Sequence, residues 1–301
     1  MPIYCFYSTE NFFSACQVPL RIIFLHQKMA TKARGRGYAL SKNAQSGELR
    51  RPGETSMGIS NASKINGKEP VLSKSPEDNI EKICNTMAAI DLSLPQSALE
   101  TFAGELKAVC KTSELLEKCA ENLFQFALKS KWNAHAVAVF CNFHGEITVE
   151  QVKLRNLFFK KLQGRYLERS KAYQELDKFL LDATFACEVF HHVRIAGAHL
   201  KVLSGPVLDY FGMLLTGASQ KEVEVVMEQF PKCYKNIKDC DGFDDLLTKL
   251  RKQIISETTT VTVKAMMLEL FELILTDWKV MNPSAKTFYE TLSKPIVRIC
   301  D

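Results

Sequence analysis

No stretch of the 301 residues approaches the ~18 consecutive apolar side chains that span a bilayer. The best run, Val263 to Leu275, is short and broken by Lys264, Glu269 and Glu272. A soluble chain with no membrane contact is expected. Phosphate-cradling loops are missing too: there is no G-x-x-x-x-G-K-[ST], and no G-x-G-x-x-G follows a strand. C-x-x-C is absent, and the ten cysteines are scattered rather than dense. Cys84, Cys110, Cys119, Cys141, Cys187, Cys233 and Cys240 sit in helical-looking segments, so reduced and mostly buried thiols are expected rather than a disulfide scaffold or a metal-thiolate site. Tryptophan is scarce, at two residues, but nineteen Phe and 46% hydrophobic residues supply ample core, which excludes a wholly disordered chain.

The net charge of +5 is unevenly placed. Residues 30–75 hold nine Lys/Arg against three Glu, whereas residues 76–301 hold 28 basic side chains against 30 acidic ones. The basicity therefore lies in a tail, and a globally basic nucleic-acid-binding domain does not fit this pattern. The same tail has six of the fourteen glycines and many Ser and Asn. It cannot bury enough apolar surface to offset the entropy of ordering, so residues 1–75 are expected to be a disordered basic tail. Arg34 and Arg36 lie in an Arg-Gly repeat that would give weak, salt-dependent contact with RNA phosphates, although a solvated linker explains it as well. Residues 1–28 lack the basic start and continuous apolar block of a signal peptide. Lys28 requires A three bases before the Met29 codon and Ala30 requires G just after it, so Met29 is expected to serve as a start, with residues 1–28 outside the native product.

From residue 76 the pattern changes to helices. Ser75-Pro76-Glu77-Asp78 reads as a helix start, with an N-cap Ser, Pro at the first position and acids in the first turn. Within 113–128, Leu115, Leu116, Cys119, Ala120, Leu123, Phe124 and Leu128 share one face. Similar stretches predict helices at about 133–143, 148–169, 171–195, 205–217, 220–236, 241–256, 261–278 and 284–293. No strand alternation stands out. Helix pairs recurring every forty-odd residues predict an all-α fold, a HEAT/armadillo-type α-solenoid of about five antiparallel pairs over 76–301. A globin-like or compact bundle is the structural alternative. The 261–278 helix is apolar on nearly all sides, with Ala265, Glu269, Glu272 and Thr276 as a narrow polar stripe, so it is expected to pack between neighbours.

Catalytic candidates are few. His191, His192 and His199 could suggest a metal site, but adjacent histidines on a helix point about 100° apart and do not easily share an ion, so one half-buried and one exposed ring are expected. Cys187 lies one turn from His191, yet its apolar segment would raise the thiol pKa, the wrong direction for a nucleophile. No cofactor, metal or catalytic residue is expected. Lys161, Arg165 and Arg169 follow one another at i, i+4 steps, with Arg155 and Lys160 beside them. This ridge could dock an acidic partner segment or RNA phosphates, or be a solvated face. No aromatic interleaves it as base stacking would require, which favours a protein partner. Asp239, Asp241, Asp244 and Asp245 form the acidic counterpart, with Cys240-Asp241 as a helix cap and Asp244 and Asp245 open to a basic partner. Phe185 and Val189 could anchor a peptide helix if exposed, but core positions are expected.

Three blocks in order and spacing carry a resemblance: 157–169, with Leu162-Gln163, Tyr166 and Arg169; 184–194, with Thr184-Phe185, Cys187, Phe190 and Val193-Arg194; and 268–278, with Leu268-Glu269, Glu272 and Trp278. Pro206-Val207 and Asp209 lie between the second and third, and Tyr289 follows the Asn282-Pro283 break. From about 80 to 293 the chain resembles the middle domain of eukaryotic translation initiation factor four-G. It is closest to the family's small stand-alone members, which work with the histone stem-loop-binding protein or in nuclear-cap-dependent translation. Further arginines that members have after the position of Arg169 are replaced here by Ser170-Lys171-Ala172-Tyr173. The resemblance implies a HEAT-type solenoid without catalysis that docks initiation factors, a DEAD-box helicase or a messenger-binding protein. The expected function is therefore an adaptor in translation initiation or mRNA metabolism, cytoplasmic and also nuclear, able to homodimerise through its end faces. A helical-repeat protein that binds RNA directly is the alternative.

Overall fold

The computed structural model describes residues 76–90, 93–279 and 281–293. The expected disordered tail, with Arg34, Arg36 and the Met29 start, lies outside the described residues. Within them the chain folds as successive helices: α1 (Pro76–Thr86), α2 (Gln96–Val109), α3 (Ser113–Ala127), α4 (Lys131–His144), α5 (Leu154–Leu167), the single turn α6 (Arg169–Ala172), α7 (Leu176–His192), α8 (Ser204–Gly217), α9 (Gln220–Ile237), α10 (Phe243–Ile255), α11 (Val261–Leu275) and α12 (Pro283–Ser293). None is long and apolar enough to cross a membrane.

Their starts follow local chemistry. Thr112, Ser130 and Thr260 each cap a helix with a side-chain oxygen that accepts a backbone N–H from the first turn. Before α9, Ser219 and Glu222 form a reciprocal capping box. Ser130 places the α4 boundary, so the helix expected from about 133 begins at Lys131, with Trp132 and Asn133 inside its first turn. The helix expected from 148 begins only at Leu154, and the one expected over 171–195 begins at Leu176. Two short hairpins occupy the difference. Thr148–Val149 pairs with Val152–Lys153, and Arg194–Ile195 pairs with Ala198–His199. Their turns hold Glu150, Gln151 and Ala196 at positive φ, which no Gly or Asn at those positions announces.

The stacking is solenoid-like. α1 packs on α2 and α3, α3 on α4 and α5, α8 on α9 and α10, and α10 on α11. The second helices of the pairs form their own row: α4 packs on α7, α7 on α9, and α9 on α11. The all-α solenoid-type fold is as expected. α7 is the innermost rod, with Phe179, Ala183, Phe185, Cys187, Val189 and Phe190 buried. The Phe124 ring stands between Phe158 and Phe185, with centroids 6.5 and 5.3 Å away. Phe185 and Val189 are therefore core, as expected. Trp278 stacks on Phe230 at 5.8 Å, and Tyr289 is buried, so both landmarks pack within the fold.

α11 departs from expectation. Ala265, placed on the polar stripe by its spacing, is buried, while Val261, Leu268 and Leu275 are exposed at seven-residue steps. The helix is covered by α9, α10 and α12 on its other sides, so one apolar line faces outward.

Candidate functional site

The basic ridge on α5 and α6 is largely paired from within. Arg165 donates from Nε and Nη2 to the two carboxylate oxygens of Asp182 on α7, at 2.9 and 2.5 Å. Lys161 donates to Glu121 of α3. Arg169 reaches Asp209 of α8 at 3.4 Å, donates to the Tyr166 carbonyl, and lies 4.0 Å above the Tyr166 ring. The Tyr166 hydroxyl donates to the same Asp209 carboxylate. Arg155, expected beside the ridge, is buried and pairs with Glu146 at 2.5 Å. Lys160 alone of the five is exposed with no ion pair among the described residues. The ridge thus joins α5 to α3 and α7, and α6 to α8.

Electrostatics follow burial. Burial pushes the Asp182 carboxyl above its ordinary value, and the Arg165 guanidinium opposes this only in part. The Lys161 hydrogen bond holds Glu121 below the usual carboxylate range, as Lys153 and Arg155 do for Glu146.

The acidic loop is differently arranged. α9 ends at Ile237, and Gly242, at φ +90°, is the N-cap of α10. Only a residue tolerating the left-handed region fits there, so the cap is Gly242 and not the expected Cys240-Asp241. Residues 238–245 line an open hollow of about 410 Å³. Asp241, Asp244 and Asp245 are exposed and form no ion pair among the described residues. Lys238 of this loop is engaged by Asp277 at 3.1 Å. Beneath them Phe243 is buried and anchors the turn.

The histidines sort as follows. His191 Nδ1 lies 2.9 Å from the Lys232 carbonyl, and His199, on the second hairpin, faces the Phe190 ring. The His191 ring also stands edge-on to His192, with centroids 4.5 Å apart, while its Nδ1 is taken up by that carbonyl. Both His191 and His192 are partly buried, where one half-buried and one exposed ring were expected. His192 meets His135 of α4 as well, ring to ring at 4.8 Å, and His135 and His192 both bond one oxygen of Glu188. Sequence reasoning missed His135 and Glu188. The available signal was Glu188 and His192 one turn apart in the largely apolar second half of the helix. Cys187 is buried, and burial and the neighbouring Cys233 hold its thiol well above its ordinary value, which makes it a poor nucleophile.

Stacked helices with internally paired charge and one free acidic loop define a solenoid-type surface rather than a cleft. No protein-family model matches the chain. Over 228 residues it is 24% identical to the CBP80/20-dependent translation initiation factor of Xenopus tropicalis, a match that covers 73% of this chain. The match covers 39% of that protein, so this chain spans about two fifths of its relative's length.

Proposed function

We propose that the chain is a non-enzymatic adaptor in translation initiation or messenger metabolism, acting in the cytoplasm and nucleus. The similarity to a protein named as a translation initiation factor supplies the process. The observation that carries the mechanism is the asymmetry between the two charged patches. Four of the five ridge cations already hold carboxylates of this chain, whereas Asp241, Asp244 and Asp245 hold none. Phosphate binding needs cations free to displace counterions, and one exposed Lys160 supplies little of that. This supports protein docking over direct RNA reading by the helices. The partner would be an initiation factor, a DEAD-box helicase or a messenger-binding protein that presents a basic surface to the α9–α10 loop. Arg34 and Arg36 of the tail would add weak RNA contact.

The test isolates the tagged full chain from lysate with and without ribonuclease. Translation-machinery proteins that remain after digestion, and that fall away as salt rises, support the adaptor. Loss of all of them on digestion would overturn it in favour of the RNA reader.

A further inference from the structure

Glu188 is a carboxylate at the bottom of a seam between α4, α7 and α9, and its side chain is 2% exposed. Its Oε2 lies 3.0 Å from His135 Nδ1 and 3.3 Å from His192 Nε2. The three ligand atoms all stand within 4.8 Å of one another. Its other oxygen, Oε1, accepts from the Lys232 ammonium of α9. Burial disfavours its charge, but the bonds from His135, His192 and Lys232 together outweigh that and lower its pKa. The role of this group is unexplained by the docking reading, on which the following does not depend.

We propose that His135, Glu188 and His192 bind a zinc-class divalent ion that fastens α4 to α7. Three features of the seam support it. First, spacing: a tetrahedral ion with bonds near 2.0–2.2 Å needs ligand atoms about 3.3–3.5 Å apart, and two of the three separations already approach this. Second, donor type: two imidazoles and one carboxylate suit zinc and its neighbours, and not calcium or magnesium, which need more oxygens. Third, the outer contact: Lys232 on Oε1 leaves Oε2 as the single coordinating oxygen and fixes its direction, as partners behind metal ligands do. The His135 and His192 side chains are 35% and 25% exposed, so the seam opens on their side for ion entry and for a water in the fourth position.

The proton balance is simple. A carboxylate oxygen only accepts, so without metal the two contacts to Glu188 Oε2 need a proton on His135 Nδ1 and on His192 Nε2. Metal takes those two nitrogens as neutral imidazole ligands, and each ring carries its proton on its other nitrogen instead. Glu188 and Lys232 offset each other in charge, so the ion's own charge falls on its water and on solvent. Affinity is therefore moderate, below that of a thiolate site.

The test uses the full chain, stripped with a chelator and kept reduced, with Zn2+ and Co2+ as probes. One equivalent of Co2+ should give visible ligand-field bands without thiolate charge-transfer bands, and Zn2+ should raise the melting temperature, the shift growing with the logarithm of its concentration. His135→Asn and His192→Asn, both changes at partly exposed rings, should weaken binding at least ~10-fold and abolish the melting shift. Cys240→Ser should change neither. Circular dichroism of each variant before metal addition separates lost binding from lost fold. Absence of a melting shift in the unaltered chain, or a shift that persists in both histidine variants, would overturn the proposal. The first result leaves Glu188 as an ion-paired carboxylate only; the second places the metal elsewhere in the chain.

Discussion

Replacing Arg165 by Met tests whether the ridge holds the helices together. Asp182 is 4% exposed, and both of its oxygens accept from Arg165. Met retains most of the aliphatic length, so packing changes little while the cation goes. The carboxylate is then left buried without its partner, which costs about 3–5 kcal/mol for such a pair. Two things pull the value to the lower end. Arg165 is about one-third exposed, so water reaches the pair from one side. Asp182 can also take a proton, because burial already raises its pKa. A loss of about 3 kcal/mol is expected, or roughly 6–12 °C in melting temperature for a domain near 200 residues. The double variant Arg165→Met, Asp182→Leu removes charge from both sides and should recover most of the loss, since apolar replacement of a buried pair is close to neutral. Urea denaturation of the single and double variants at pH 7 supplies the cycle. A loss below ~1 kcal/mol for Arg165→Met, or equal losses in single and double variants, would refute the reasoning.

Other perturbations follow from the same contacts. A Cβ at Gly217 would sit 2.0 Å from both Glu222 Oε1 and the Tyr173 hydroxyl, so Gly217→Ala displaces those side-chain ends and loosens the Tyr173–Glu222 bond; a loss of about 1 kcal/mol in a thermal melt is expected. Phe185→Ala, which leaves a void beside Phe124 in the fully buried centre, should cost about 3–5 kcal/mol by urea denaturation. For pH, Glu121 and Glu146 have folded values lowered from 4.5, so their stabilisation is present above pH 4.5 and is lost as pH falls through the lowered values. Asp182 works in the opposite sense, since its folded value is raised from 3.8 and its contribution declines as pH rises through it. Lys161→Met should therefore flatten the acid limb of a melting-temperature profile; an unchanged limb would remove Glu121 from the account.

How much was legible in the sequence depended on whether the relevant partner was local. The 113–128 helix could be read because Leu116, Cys119, Ala120, Leu123 and Phe124 meet the core through one helix's own periodicity, and all five are buried. The core placement of Phe185 and Val189 follows in the same way. The ridge could be located but not interpreted. Lys161, Arg165 and Arg169 lie on one line by spacing, yet their partners Glu121, Asp182 and Asp209 come from three other helices. Nothing in a spacing rule brings those together. His135 and Glu188, 53 positions apart, were invisible for the same reason. The hairpin at 148–153 was hidden because Glu150 and Gln151 adopt positive φ without glycine. On α11 the composition suggested burial all round, but neighbours cover only three sides, and Leu268 and Leu275 are left outside.

The most direct test of the central claim compares two variants of the full chain in ribonuclease-treated isolations. The claim is that the ridge cations brace the stack while the α9–α10 loop meets the partner. Asp244→Asn with Asp245→Asn should sharply reduce the bound translation-machinery proteins while the melting temperature falls only slightly, since acids in a first helical turn contribute about 0.3–1 kcal/mol each. Lys160→Gln should leave the recovered proteins unchanged. Loss of partners with Lys160→Gln and full retention with the paired Asp changes would contradict it.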